Sequence, residues 1–64
     1  MWILKVYRRR EVLPDVEEEQ VIFRQYFVDE DADKACELVE EFNAHYKAIG
    51  CDNEYRAIMA RCMA

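Results

Sequence analysis

The apolar residues of this chain change their spacing once, near Asp31, and that change limits the folds open to it. Before it the pattern alternates. In "MWILKVY", Trp2, Leu4 and Val6 share one face of an extended chain and Ile3, Lys5 and Tyr7 the other. In "QVIFRQYFV", Val21, Phe23, Gln25 and Phe27 likewise oppose Ile22, Arg24, Tyr26 and Val28. Their β-branched and aromatic content favours strands. After Asp31, Ala35, Leu38 or Val39, Phe42, His45 or Tyr46, and Ile49 recur at steps of three and four, which is the period of an amphipathic helix. Gly50 follows the last apolar position, where a left-handed cap requires it, and Lys47 suits the negative end of the helix dipole.

Between the strands lies "EVLPDVEEE", where Pro14-Asp15 is the strongest turn signal. The spacing predicts a hairpin whose connection is longer than two residues. The last segment, "NEYRAIMARCM", fits a strand by its alternation of Tyr55, Ala57 and Met59 with Arg56, Ile58 and Ala60, although Ala, Met and Arg also suit a helix. A strand gives the simpler topology. A right-handed crossover would lay it parallel to the second strand, with the first strand between them. The expectation is a single α+β domain over residues 1–64: a ββαβ chain with a three-stranded antiparallel sheet, strand order 2-1-3, and one helix packed on one face. Trp2, Leu4, Val6, Val21, Phe23 and Phe27 would face the helix. Lys5, Tyr7, Arg24 and Tyr26, with Ile3 and Ile22, would line the uncovered face.

A chain of 64 residues hides only about 60% of its unfolded surface, which leaves little to shape a pocket once a core is built. The expectation is a non-enzymatic protein without a cofactor. "DEDADKACELVE" places Asp29, Asp31, Asp33 and Glu40 at positions one, three, five and twelve of a calcium loop. Lys34 occupies the sixth position, where that loop turns on Gly, and the helical period runs straight through at Leu38 and Val39. The better reading is a helix start capped by Asp29 or Asp31, with Glu30 and Asp33 at its positive end. Cys36, His45, Cys51 and Cys62 lack the paired spacing of a zinc knuckle, and Cys36 reads as a small buried thiol. No metal or catalytic residue is expected.

Charge says more. Fourteen acidic residues against nine basic ones leave a net charge of -5. That opposes direct binding to nucleic acid, although Arg8 to Arg10 and the Lys5, Tyr7, Arg24, Tyr26 face hold the ingredients of a single-strand-binding sheet. It favours a larger protein or nucleoprotein partner with a basic surface. Glu17, Glu18, Glu19, Asp29, Asp31, Asp33, Glu37, Glu40 and Glu41 form the expected attracting set, with Tyr7 and Tyr26 as aromatic anchors. In size and charge, as a class and not by any motif, the chain resembles small phage-encoded proteins that disable host polymerases, nucleases or CRISPR complexes. The resemblance implies an inhibitor that docks on nucleic-acid machinery by mimicking nucleic acid. A second expectation is a homodimer formed through the uncovered sheet face, hiding Ile3, Tyr7, Ile22 and Tyr26. Three cysteines, an odd number, and the absence of any long apolar run point to the cytoplasm and away from a membrane.

Overall fold

In the computed structural model, which describes residues 1–62, two strands of equal length carry the first half of the chain. Strand β1 spans Trp2–Leu13 and β2 spans Val16–Phe27. Only Pro14 and Asp15 join them, so the connection is shorter than the sequence spacing suggests. Pro14 brings a fixed φ to the first turn position, and Asp15 takes the left-handed conformation (φ 67°) that a short polar side chain tolerates. "VEEEQ" is therefore strand and not loop. Arg8, Arg9 and Arg10 stand opposite Gln20, Glu19 and Glu18, so opposite charges continue the ladder where the apolar alternation stops.

A single 3-10 turn, Asp29–Asp31, leads into helix α1, Ala32–Ala48, and strand β3, Tyr55–Arg61, closes the fold. The sheet order is β2-β1-β3, with both outer strands antiparallel to β1 and α1 packed on one face, as the sequence predicted. The capping expectation is corrected. Asp31 occupies the position before α1 but its side chain makes no capping bond, and the Asp29 carboxylate instead accepts a 2.7 Å hydrogen bond from the Met1 ammonium. A charged donor outcompetes a neutral backbone N–H for that carboxylate. The other end of α1 closes as expected. Gly50 adopts φ 79°, its N–H donates to the Lys47 carbonyl, and the Cys51 N–H donates to that of Tyr46.

The core is thin. Leu4, Val6, Ala35 and Ala57 are buried, and Phe27, Leu38, Val39, Phe42 and Tyr46 pack against the Leu4–Val6–Ala57 centre. Helix α1 lies over β3 and β1 and leaves β2 largely uncovered. Phe23, expected in the core, is consequently 42% exposed and meets α1 at Phe42, ring centroids 6.2 Å apart. Val21, also expected there, is turned away. An irregularity between Val6 and Tyr7 leaves Ile22 without a partner, and the extra residue re-phases β2 so that Val21 pairs with Tyr7 on the uncovered face. Ile3 lies on that uncovered face yet is only 6% exposed, because Tyr26 and Ala60 flank it from both neighbouring strands. Cys36 is exposed rather than buried, with its thiol 3.9 Å from the Met59 sulfur.

The two sheet edges are finished differently. At β3 the Asn43 side chain reaches from α1 to Ala57: Oδ1 accepts the Ala57 N–H at 2.8 Å, and Nδ2 donates to the Ala57 carbonyl at 3.0 Å. The carboxamide stands where the peptide of a next strand would be. No such group meets β2 among the described residues. Beyond Arg9, β1 pairs with β2 alone, so the hairpin projects as a two-stranded arm whose tip exposes Val12, Leu13 and Val16.

Candidate functional site

The acidic residues separate into two groups once their neighbours are known. Glu19 bonds the Arg56 guanidinium at 2.8 Å and lies 3.7 Å from that of Arg9, which is 3.5 Å from Glu17. Glu54 receives Arg8 at 3.1 Å, and Asp29 receives the Met1 ammonium. Glu17, Glu19 and Asp29 are thus engaged within the molecule. These pairs lace the projecting arm to β3 and the chain start to the helix. Asp33, Glu37, Glu40 and Glu41 are exposed along α1 and enter no ion pair among the described residues. Glu18 is exposed opposite Arg10, and Asp31 is half-buried. Of the expected acidic set, Glu18, Asp31 and the four α1 residues stand outside these ion pairs among the described residues.

The Met1 ammonium holds the Asp29 carboxyl below its ordinary 3.8, first through the hydrogen bond and then through its charge, with Arg61 adding a little and slight desolvation opposing. A depressed carboxyl stabilises the fold above its unfolded value, and that contribution disappears as the pH falls through the lower folded value. The acid side of the stability profile should therefore steepen below the ordinary aspartate range, and Asp29→Asn should remove that component. A carboxyl titration followed by NMR checks it: a midpoint for Asp29 at or above the ordinary value contradicts the pairing.

On the uncovered face, Lys5 and Arg24 stand directly opposite each other, and neither has an anionic partner among the described residues. Tyr7 is half-buried beneath Arg56, whose guanidinium carbon lies 5.3 Å from its ring centroid. Tyr26 is free, 58% exposed. Of the two expected anchors, one is thus engaged inside the molecule and one faces solvent. A small depression of about 130 Å³ near Tyr7 is walled by Arg9, Glu19, Glu54 and Arg56, most of which are already paired with one another.

A different feature lies on the helix side, and the sequence reading did not anticipate it. Because α1 is displaced toward β3, a depression of about 240 Å³ opens along its other flank, lined by Leu38, Glu41, Phe42 and His45. An aromatic row crosses the domain beside it, from Phe23 through Phe42 and Tyr46 to Tyr55, with successive centroids 6.2, 6.2 and 5.4 Å apart. Burial within that row pushes the Tyr46 phenol above its ordinary value, with Cys51 and Tyr55 adding to the effect. No family model matches this chain, and no curated protein or solved structure does either. The arrangement must therefore be judged by its own chemistry. Among the described residues no three His, Cys, Asp or Glu side chains converge as metal ligands, and no helix is long and apolar enough to cross a membrane. The surface offers an anionic helix, a shallow apolar depression and an open strand edge.

Proposed function

We propose that the protein is a non-enzymatic docking domain of the cytoplasm that sets the outer surface of α1 on a basic surface of a larger protein or nucleoprotein. The observation that carries this reading is the exposure of Asp33, Glu37, Glu40 and Glu41 on one rigid helix, with no cation of the chain paired to them among the described residues. Asp33, Glu37 and Glu41 follow one another at four-residue steps, so they rise along a single face about 6 Å at a time. Nucleic acid also presents a regular row of anions on a stiff support. A basic groove shaped for nucleic acid therefore suits this helix, and occupying it would block a polymerase, a nuclease or a CRISPR complex.

The test uses Glu37→Lys, Glu40→Lys and Glu41→Lys together, leaving Asp33 to support the helix start. Wild type immobilised in host lysate should retain a nucleic-acid-binding protein that added double-stranded DNA or raised salt displaces. The reversed variant, folded by circular dichroism, should retain none of it. Equal retention by both proteins would sink the proposal.

A further inference from the structure

No side chain blocks the outer edge of β2 among the described residues, and the backbone directions along it are determined by two bonds elsewhere. The Arg9 N–H donates to the Glu54 carbonyl and the Cys62 N–H to the Met1 carbonyl, so odd-numbered residues of β1 up to Arg9 turn their peptide groups toward β3. Even-numbered ones turn toward β2, where Val6 pairs with Phe23 and Leu4 with Gln25. Arg24 and Tyr26 must then point their N–H and C=O groups away from the sheet, and none of these groups finds a backbone or side-chain partner among the described residues. Natural sheets blunt such an edge with bulges and charges. Here the bulge at Ile22 and the charges Glu17 to Glu19 all fall in the first half of β2. The half from Phe23 to Phe27 holds neither a bulge nor an acidic residue, and it borders the apolar depression at Leu38 and Phe42.

We propose that Phe23–Phe27 pairs with the same segment of a second copy, antiparallel, about a twofold axis through Gln25. In that register each Arg24 meets the other copy's Tyr26, each Phe23 meets a Phe27, and the two Gln25 side chains face each other. The Arg24–Tyr26 positions are the ones with outward peptide groups, so each pair exchanges two backbone hydrogen bonds. On the uncovered face a guanidinium then lies beside a phenol ring, which suits Arg24 better than its present neighbour Lys5. On the other face the Phe pairs extend the aromatic row and cover the depression. The alternative registers are worse: centring on Arg24 opposes two guanidinium groups, centring on Phe23 or any earlier residue draws the bulge into the new ladder, and centring on Tyr26 sets Gln25 against Phe27 and Phe23 against Asp29, outside the strand. The product is a six-stranded sheet with both helices on one side. It shares only Glu41, at the rim of the depression, with the docking proposal, and the tests below do not alter that residue.

Two variants test it. Tyr26→Pro removes an outward N–H without touching the ladder to β1, a substitution that edge strands accept. Sedimentation from micromolar to millimolar concentration should show wild type reaching twice the chain mass, and Tyr26→Pro should dissociate at least tenfold more readily. Gln25→Cys, made with Cys36, Cys51 and Cys62 replaced by alanine, brings two thiols together across the axis. Opposed residues of this pair type have Cα atoms about 4.5 Å apart, within disulfide range. Air oxidation should cross-link it to a dimer, whereas Glu18→Cys in the same background should stay monomeric. If Tyr26→Pro does not fold, the cross-link decides. A wild type that is monomeric throughout, a dimer indifferent to a folded Tyr26→Pro, or no cross-link at position 25 overturns the pairing.

Discussion

Leu4→Ala should leave the protein largely unfolded at physiological temperature. Leu4 is 0% exposed and lies at the centre of the buried cluster, between Val6, Ala57 and the inner face of α1. Removing a buried leucine side chain costs about 2–5 kcal/mol, from lost transfer and from the cavity left behind. A domain of this length holds only about 3–10 kcal/mol in total, at roughly 0.05–0.15 kcal/mol per residue. One cavity therefore consumes much of the whole. Ile3→Ala is the informative control. Ile3 is nearly as buried, at 6%, but on the face that no helix covers, where Tyr26 can lean inward and water can fill what remains. Its cost should sit at or below about 2 kcal/mol, the low end of such deletions. Urea unfolding followed by far-ultraviolet circular dichroism compares the two. Should Ile3→Ala prove as damaging as Leu4→Ala, the uncovered face would have to count as a second core.

Asn43→Ala should cost about 2–6 kcal/mol, more than a helix position bordering the core would ordinarily suggest. The substitution leaves both peptide groups of Ala57 without partners, and Ala57 is 3% exposed, so water does not readily replace the carboxamide. Each orphaned buried group costs about 1–3 kcal/mol. Asn43→Asp keeps the acceptor for the Ala57 N–H and loses the donor to its carbonyl, so it should fall between wild type and alanine. Equal stability for Asn43→Ala and wild type in chemical denaturation would mean that Ala57 is satisfied some other way.

The parts of the fold legible in the sequence are those written as periods. Ala35 to Ile49 at helical spacing with Gly50 behind them marked α1 and its end, and the alternation around Leu4 and Tyr55 marked β1 and β3. Strand order followed from these by topology. The arm was hidden because "RRREV" and "VEEEQ" have no apolar period. Their signal lay in the opposite charges set roughly symmetrically about Pro14-Asp15. Nothing in the residue types betrays the bulge at Ile22, since the alternation passes through it unbroken. Helix placement was a matter of side-chain size: Ala57 is small enough for α1 to approach β3 until Asn43 touches the strand, while Phe23 and Phe27 hold it off β2. For the site, the number of charges was readable but their partners were not. Glu17, Glu19 and Asp29 depend on Arg9, Arg56 and Met1, which only the tertiary structure brings near.

Asn43 also makes the two ends of the sheet unequal. A sheet with two open edges can recruit a strand at each, and every recruit offers a new edge in turn, so growth has no natural limit. At the β3 edge Ala57 is occupied by a side chain of its own molecule, whereas Met59 and Arg61, which point the same way, have no such partner among the described residues, so Asn43 interrupts that edge at one position. A single carboxamide thus places an obstacle in the middle of the β3 edge that the β2 edge does not have.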